Sequence, residues 1–360
     1  MTDSTTTIPT TMNALVLEKF GPPEELKYKS VPVPSLKKDT DLLVRVVCAG
    51  VNPIDAKLRQ GNLFSFLVKK NAILGADYSG VVVKKGAKVT KFEVGDRVFG
   101  KLALPSGPQG AYSEYIVVTA NDTAIAKKPE NLSFVDAAAV GIAALTALDG
   151  VVNKRPLPLE HNMDPPPKVL VIGASGGVGM YGVQIAKAIG AHVVGICSGK
   201  NIELVKGFGA DRVVDYNDQA AMDALVQEKN TFDVVFDLVG GDDYYKKMLP
   251  LVKEKTGMFS TAVGPTEHSG STKVSLLGYA SMGSKILYRG LFGSRRYSMI
   301  LDLPHDQFAS VLTPLLEKKL IKPYVPEENI FDLKDASKAH EKIESHRVVG
   351  KIVLRVSPDV

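Results

Sequence analysis

A chain of 360 residues, 45% hydrophobic and 23% charged, is long enough for two domains, each with its own core. Its 44 basic and 39 acidic residues leave a net charge of +5, scattered along the chain, so nothing demands a nucleic-acid partner, although a polyanion would suit it. Two cysteines, Cys48 and Cys197, exclude a disulfide framework and a four-thiolate zinc lobe and fit a reducing compartment. His161, His192, His268, His305, His340 and His346 never form an i, i+4 pair backed by an acid, so no metal site is expected. The longest uncharged run, Val169 to Ala186, carries five glycines and a glutamine, which reads as strand, turn and helix rather than as a stable membrane insertion. The N-terminal Met1–Thr10 has neither an apolar core for secretion nor an arginine for mitochondrial transit, so a cytoplasmic location is expected.

From Met12 to Ile125, short β runs are punctuated by Gly and Pro: Asn13–Leu17, Asp41–Cys48, Ser79–Val83, Asp96–Phe99 and Tyr112–Val118. They read as an antiparallel barrel or partly open sheet. Ser133-x-x-Asp136 is a capping box that opens an Ala-rich helix, Ala137–Val152, and the Pro-rich stretch Arg155–Pro167 reads as a surface loop. Val169–Ile172 is then a strand running into a glycine cluster, and Met180–Ile189 follows at helical spacing. His192–Cys197, Arg212–Asp215 and Phe232–Leu238 continue the alternation, which makes a run of βα units. After the strand Gly257–Val263 and a Gly/Ser-rich loop, the segment Val274–Phe292 is apolar with only Lys285 and Arg289 as charges; core or lid packing, a dimer contact and a membrane-surface helix all fit it. Tyr297–Leu301 has the character of a last strand of the βα run. At the end of the chain, Asp335–Ile343 is an amphipathic helix and Lys351–Leu354 a strand able to add to the first domain's sheet.

Aligned on its glycines, the turn reads Ala174-x-Gly176-x-x-Gly179, a variant of the dinucleotide fingerprint with alanine in first place. Gly176 lets the backbone approach a pyrophosphate, Gly179 lets the helix pack on the strand, and the helix N-terminus offers unsatisfied N–H groups to the anion. The cofactor is therefore expected on Ala174, Ser175, Gly176, Gly177, Val178 and Gly179, with Val239 and Val263 assigned to the same binding edge. Where a site for NAD would place an acid at the end of the second strand, this chain reads Cys197-Ser-Gly-Lys-Asn201. Ser198 can donate to a 2′-phosphate and Lys200 can pair with it, so NADPH is expected; the plainer alternative is that Lys200 is a solvated surface lysine.

Several motifs in order and spacing resemble the zinc-free quinone oxidoreductase branch of the medium-chain dehydrogenase/reductase superfamily, over roughly Met12 to Leu354. The most specific are Ala49-Gly-Val-Asn-Pro-Ile-Asp-Ala-Lys-Leu-Arg-Gln-Gly61, Gly75-Ala-Asp-Tyr-Ser-Gly80 with Gly95-Asp-Arg-Val98, and the glycine turn followed by Gly209-Ala-Asp211. In zinc-dependent relatives a metal-binding cysteine stands where this chain has Asn52 and a histidine stands near Ala76, losses that agree with the cysteine count. The resemblance implies an α/β chain with a GroES-like β-rich catalytic domain, 1–138 and 323–360, and a Rossmann domain with a doubly wound parallel sheet, 139–322. It implies that Tyr216 lies by the adenosine phosphate, with simple packing as its alternative. It also implies a homodimer, because the strand equivalent to Tyr297–Leu301 often pairs with its twin in relatives.

The chemistry implied is hydride transfer to a quinone or to the C=C bond of an α,β-unsaturated carbonyl. Negative charge then develops on the acceptor oxygen, and without zinc that oxygen needs hydrogen-bond donors. The candidates are the amide of Asn52 and the ammonium of Lys57, which replaces a tyrosine of many relatives. In the plainer alternative Asn52-Pro53 begins a turn, Asp55 caps the helix after it and Lys57 faces solvent. Two other functions share the motifs: an enoyl-thioester reductase, and a non-catalytic NADPH-binding protein associating with RNA or membrane. The pairs Arg295-Arg296 and Lys318-Lys319 are too short to argue for the latter.

Overall fold

The β-branched and aromatic runs of the N-terminal third form strands β1 (Thr11–Leu17), β2 (Leu26–Pro32), β3 (Asp41–Val51), β4 (Ala72–Ile73), β5 (Asp77–Lys85), β6 (Arg97–Lys101), β7 (Tyr115–Thr119) and β8 (Ala124–Lys127). The computed structural model describes all residues except 1–6, 63–64, 104–106, 122–123, 156, 158–162, 266–274, 302 and 359–360. Much of the Pro-rich stretch expected as a loop and most of the Gly/Ser-rich run therefore lie outside the described residues. The chain divides into two compact units, 1–142 with 305–317 and 323–360, and 143–304 with 318–322.

In the first unit β3 is the hub, pairing antiparallel with β5 and with β7. Every residue of β3 except Arg45 is buried, because the strand runs through the middle of the β core formed by Leu42, Val44, Val46, Tyr78, Val98 and Ile116. The chain then turns into helix α1 (Pro53–Gln60). Pro53 at its first position costs no hydrogen bond, Asn52 precedes it in extended conformation, and Gly61 ends it in the left-handed region at φ 81°.

The continuous helix expected over Ala137–Val152 is broken. Helix α2 (Phe134–Ala138) opens on the expected box, with Ser133 Oγ accepting from Asp136 N at 3.0 Å, and helix α3 (Gly141–Leu148) starts afresh two residues later. The cause is Asp77 on β5, whose Oδ1 accepts from Ile142 N at 2.8 Å and so creates a second helix N-terminus. Gly141 is required there, since a Cβ would lie 2.1 Å from that same oxygen.

The second unit follows the βα alternation. Strands β9 (Lys168–Ile172), β10 (His192–Cys197), β11 (Arg212–Asp215), β12 (Val234–Asp237), β13 (Met258–Thr261) and β14 (Arg296–Met299) form a parallel sheet in the order β11-β10-β9-β12-β13-β14. That is the doubly wound Rossmann order, with its switch point between β9 and β12. Helices α4 (Gly179–Ala188), α5 (Ile202–Gly207), α6 (Gln219–Val226), α7 (Asp242–Met248) and α8 (Leu276–Phe292) connect the strands. Val169 to Ile172 are fully buried, as expected of a central strand covered on both faces. The apolar segment before β14 is α8, which turns Leu287, Tyr288, Leu291 and Phe292 outward while Arg289 stacks on Tyr245 at 3.8 Å. No helix among the described residues is long and apolar enough to cross a membrane.

The end of the chain returns to the first unit. Helix α9 (Thr313–Glu317) follows a turn whose Phe308 packs on Phe99 with ring centroids 4.8 Å apart. Strand β15 (Ile330–Asp332), helix α10 (Ala336–Glu344) and strand β16 (Ile352–Arg355) complete the larger sheet, order β15-β16-β3-β5-β6-β8 with β7 also on β3. Ile352 lies opposite Val51 and Leu354 opposite Ala49.

Gly141→Ala should lower the unfolding free energy by about 1–3 kcal/mol, the cost of overpacking a site whose neighbour cannot move, because Asp77 is fully buried and bonded. A urea titration measures it, with Gly107→Ala as the control, since nothing lies within 4 Å of a Cβ there.

Candidate functional site

Both units carry candidate functional residues. In the second, the turn from β9 to α4 is shaped by glycines for two different reasons. Gly179 is set by packing, because a Cβ would lie 2.1 Å from Gly173 O. At Gly176 a Cβ would meet only Gly173 O, at 3.4 Å, so the space above it is open. Among the described residues no backbone acceptor takes the N–H of Ser175, Gly177, Val178 or Gly179. Open space over Gly176 and four uncommitted donors at a helix N-terminus fit a pyrophosphate.

The other expected cofactor residues follow the neighbouring strands at the same carboxyl edge. The turn Ser198–Asn201 is tied to the glycine turn by Asn201 Nδ2, which donates to Ser175 Oγ at 3.2 Å. Lys200 is exposed and has no ion-pair partner among the described residues. Tyr216 is 55% exposed, so its ring is not packing the core. Val239 and Val263 sit on two turns organised by one pair the sequence reading missed. Asp237 Oδ1 accepts from Val239 N and Gly240 N at 3.0 Å, and Thr261 Oγ1 donates to Asp237 Oδ2 while accepting from Val263 N at 3.2 Å. A second missed carboxylate, Asp215, lies behind the 2′-phosphate corner, 2.4 Å from where a Cβ of Gly199 would be.

In the first unit Asn52 is only 2% exposed and its amide is engaged inward. Nδ2 donates to Asp77 Oδ2 at 2.9 Å, and Oδ1 accepts from Lys351 Nζ at 2.6 Å. Lys351 also donates to Val51 O at 3.1 Å and stands 3.8 Å from Asp77 Oδ2. Asn52 N donates to Asp55 Oδ2 at 2.9 Å, and Tyr112 Oη donates to the same oxygen at 3.1 Å. Asp55 is thus the cap of α1, as the plainer sequence alternative held. Sequence reasoning missed Lys351 and Asp77; their only signal was a lysine just before the apolar run Ile352–Leu354 and an aspartate at the start of β5.

The other end of α1 is anchored too. Arg59 is fully buried, donates from Nε to His340 Nδ1 at 3.2 Å and pairs with Glu344 on α10. Burial, helped by the Arg59 charge, pushes His340 down to about 3, so it is neutral. Between these anchors lies Lys57, half-buried, its ammonium without a hydrogen-bond or ion-pair partner among the described residues. Burial lowers the pKa of its ammonium, which eases release of a proton. A metal does not fit this arrangement: the Asn52 and Asp77 oxygens already face the Lys351 ammonium, whose charge opposes a second cation, and Cys48 and Cys197 are buried in different units.

Burial raises Asp55 to about 7, against the hydrogen bond from Asn52 N and with the Asp77 charge adding to it. A carboxyl raised above its unfolded value of about 4 holds its proton in the folded state. Its contribution to stability is complete below pH ~4, is lost as pH rises to about 7, and is flat above. Asp55→Asn should erase that slope, so the wild type should lose stability relative to the variant between these pH values; unfolding midpoints measured at pH 4 to 9 check it.

The family model for the alcohol dehydrogenase GroES-like domain matches residues 38–130, and that for zinc-binding dehydrogenases matches residues 208–354. Among curated relatives, the mitochondrial NAD(P)H oxidoreductase RTN4IP1 of Homo sapiens is 31% identical over 96% of this chain and 90% of its own length. The 2-methylene-furan-3-one reductase of Solanum lycopersicum is 29% identical over 99% of this chain and 82% of its own. The solved Escherichia coli quinone oxidoreductase complexed with NADPH superposes with a TM-score of 0.72 at 25% identity, covering 96% of this chain and 99% of that one. With its GroES-like β-rich unit and its Rossmann unit, the chain belongs to the medium-chain dehydrogenase/reductase superfamily as a quinone oxidoreductase-like member.

Proposed function

We propose that the protein is an NADPH-dependent reductase of quinones or of the C=C bond of α,β-unsaturated carbonyls, working without zinc. The carrying observation is Lys57, a half-buried ammonium unpartnered among the described residues, on a helix anchored at both ends. Support for the cofactor comes from the open cradle at Gly176 and from relatives named for NAD(P)H and NADPH. Support for the acceptor comes from relatives named quinone oxidoreductase and 2-methylene-furan-3-one reductase, the latter name describing an α,β-unsaturated ketone.

NADPH supplies the hydride when bound. The chain's own residues hold it through the N–H groups of Ser175, Gly177, Val178 and Gly179, with Ser198, Lys200 and Tyr216 at the 2′-phosphate and Val239 and Val263 on the next turns. As hydride reaches the acceptor, Lys57 faces the growing charge on its oxygen and gives it a proton, then regains one from water. The remaining Nδ2 hydrogen of Asn52 is a second, neutral donor. A cytoplasmic homodimer accompanies this reading, with β14 as the last strand of its sheet and the edge open to a twin.

NADPH should bind more tightly than NADH by roughly 10- to 100-fold, because a charge-assisted contact is worth about 1.5–3 kcal/mol. Titration calorimetry with both nucleotides checks it, and equal affinities would remove Ser198 and Lys200 from the site. Lys57→Ala should lower kcat by about 10²-fold with NADPH affinity unchanged, and Lys57→Arg should recover only part, since a planar fork does not replace a compact charge. Steady-state rates with a saturating enone read this out, and a wild-type rate in Lys57→Ala would place the donor elsewhere.

A further inference from the structure

Three ionisable groups are buried around Asn52: Asp77 and Lys351 on its side-chain amide, and Asp55 on its backbone N–H. Lys351 reaches it from the far end of the chain, 299 residues away, and is 4% exposed. Such an arrangement is a poor source of stability alone, because an apolar or neutral set of similar volume is often as stable as a buried ion pair. What a donor-only ammonium and an acceptor-only carboxylate do, and a pair of amides or hydroxyls does not, is tell the two ends of an amide apart. The oxygen and nitrogen of Asn52 have nearly the same shape. The ammonium can donate only to the oxygen, and the carboxylate of Asp77 can accept only from the nitrogen. A cation on one side and an anion on the other therefore hold the amide in one orientation.

Asn52 immediately precedes α1, and its own N–H is held by Asp55 on that helix. Asp77 simultaneously receives Ile142 N at the head of α3. We propose that Lys351 is a positioning residue for the reduction: it locks the Asn52 amide and the start of α1, and thereby the placement of Lys57. The inference rests on the reading of Lys57 as the donor.

Lys351→Met alone leaves Asp77 buried without its cation and should destabilise the fold. Lys351→Met combined with Asp77→Asn is neutral, and the amide introduced on β5 can then pair with Asn52 in the reverse orientation, so the double variant should regain most of the lost urea midpoint. Two readouts follow on it and on the milder Lys351→Gln, which keeps a donor without the charge. Hydrogen exchange in the 52–60 segment should quicken at least tenfold while the β9 segment is unchanged. The kcat with a saturating enone should fall at least tenfold while the KM for the enone and the NADPH dissociation constant stay within twofold, since small displacements of a reacting group are costly. Unchanged exchange in 52–60, or a wild-type kcat in the stable double variant, would overturn the proposal. The Lys57→Ala rate judges the donor separately: if it is wild-type while exchange in 52–60 quickens, the donor reading fails and Lys351 has no Lys57 to position.

Discussion

A single buried carboxylate, that of Asp77, constrains more of the first unit than any other group. One oxygen takes Ile142 N and the other takes Asn52 Nδ2, with Lys351 close by. Gly141 makes room for the carboxylate by carrying no side chain, and a Cβ on Gly50 would lie 2.4 Å from Ala138 O and 2.9 Å from Asp77 Cβ. A buried charge must be satisfied completely or it neutralises, and the backbone has bent to do so, splitting one expected helix into α2 and α3. The same carboxylate thus sets where two helices begin.

The second unit solves an opposite problem. Where Asp77 is satisfied by its surroundings, the turn after β9 leaves four N–H groups without a backbone acceptor among the described residues. Side-chain hydrogen bonds fix the turns beside it. Asp237 and Thr261 fix the turns of Val239 and Val263, and Asn201 ties the Ser198 corner to Ser175. On the proposed reading, Asp215 behind Gly199 would limit the preference of that corner for a 2′-phosphate, since its charge opposes the one Lys200 would attract.

Legibility in the sequence followed locality. The strand, glycine turn and helix at 169–189 and the Asn-Pro-x-Asp start of α1 are carried by residues a few positions apart, so period and capping chemistry reveal them. The pairing of Lys351 with Asn52, the anchor of Arg59 on His340 and the break at Gly141 depend on contacts 299, 281 and 65 residues apart. Nothing in a local window signals them. Asn52 shows the consequence: its residue type suggested a donor to substrate, but the fold commits most of that amide to the interior. Lys57, which a sequence pattern could equally have placed in solvent, is left half-buried by the same fold, its ammonium without a partner among the described residues.

On the proposed reading, internal cations and amides take the role a metal plays in zinc-dependent relatives. The most direct measurement is turnover of an enone with C4-deuterated NADPH in metal-free buffer, followed by mass spectrometry of the product. The expected result is one deuterium per molecule at the carbon β to the carbonyl, at a rate that added zinc does not change. Absence of deuterium at that carbon, or turnover that appears only when zinc is supplied, would contradict it.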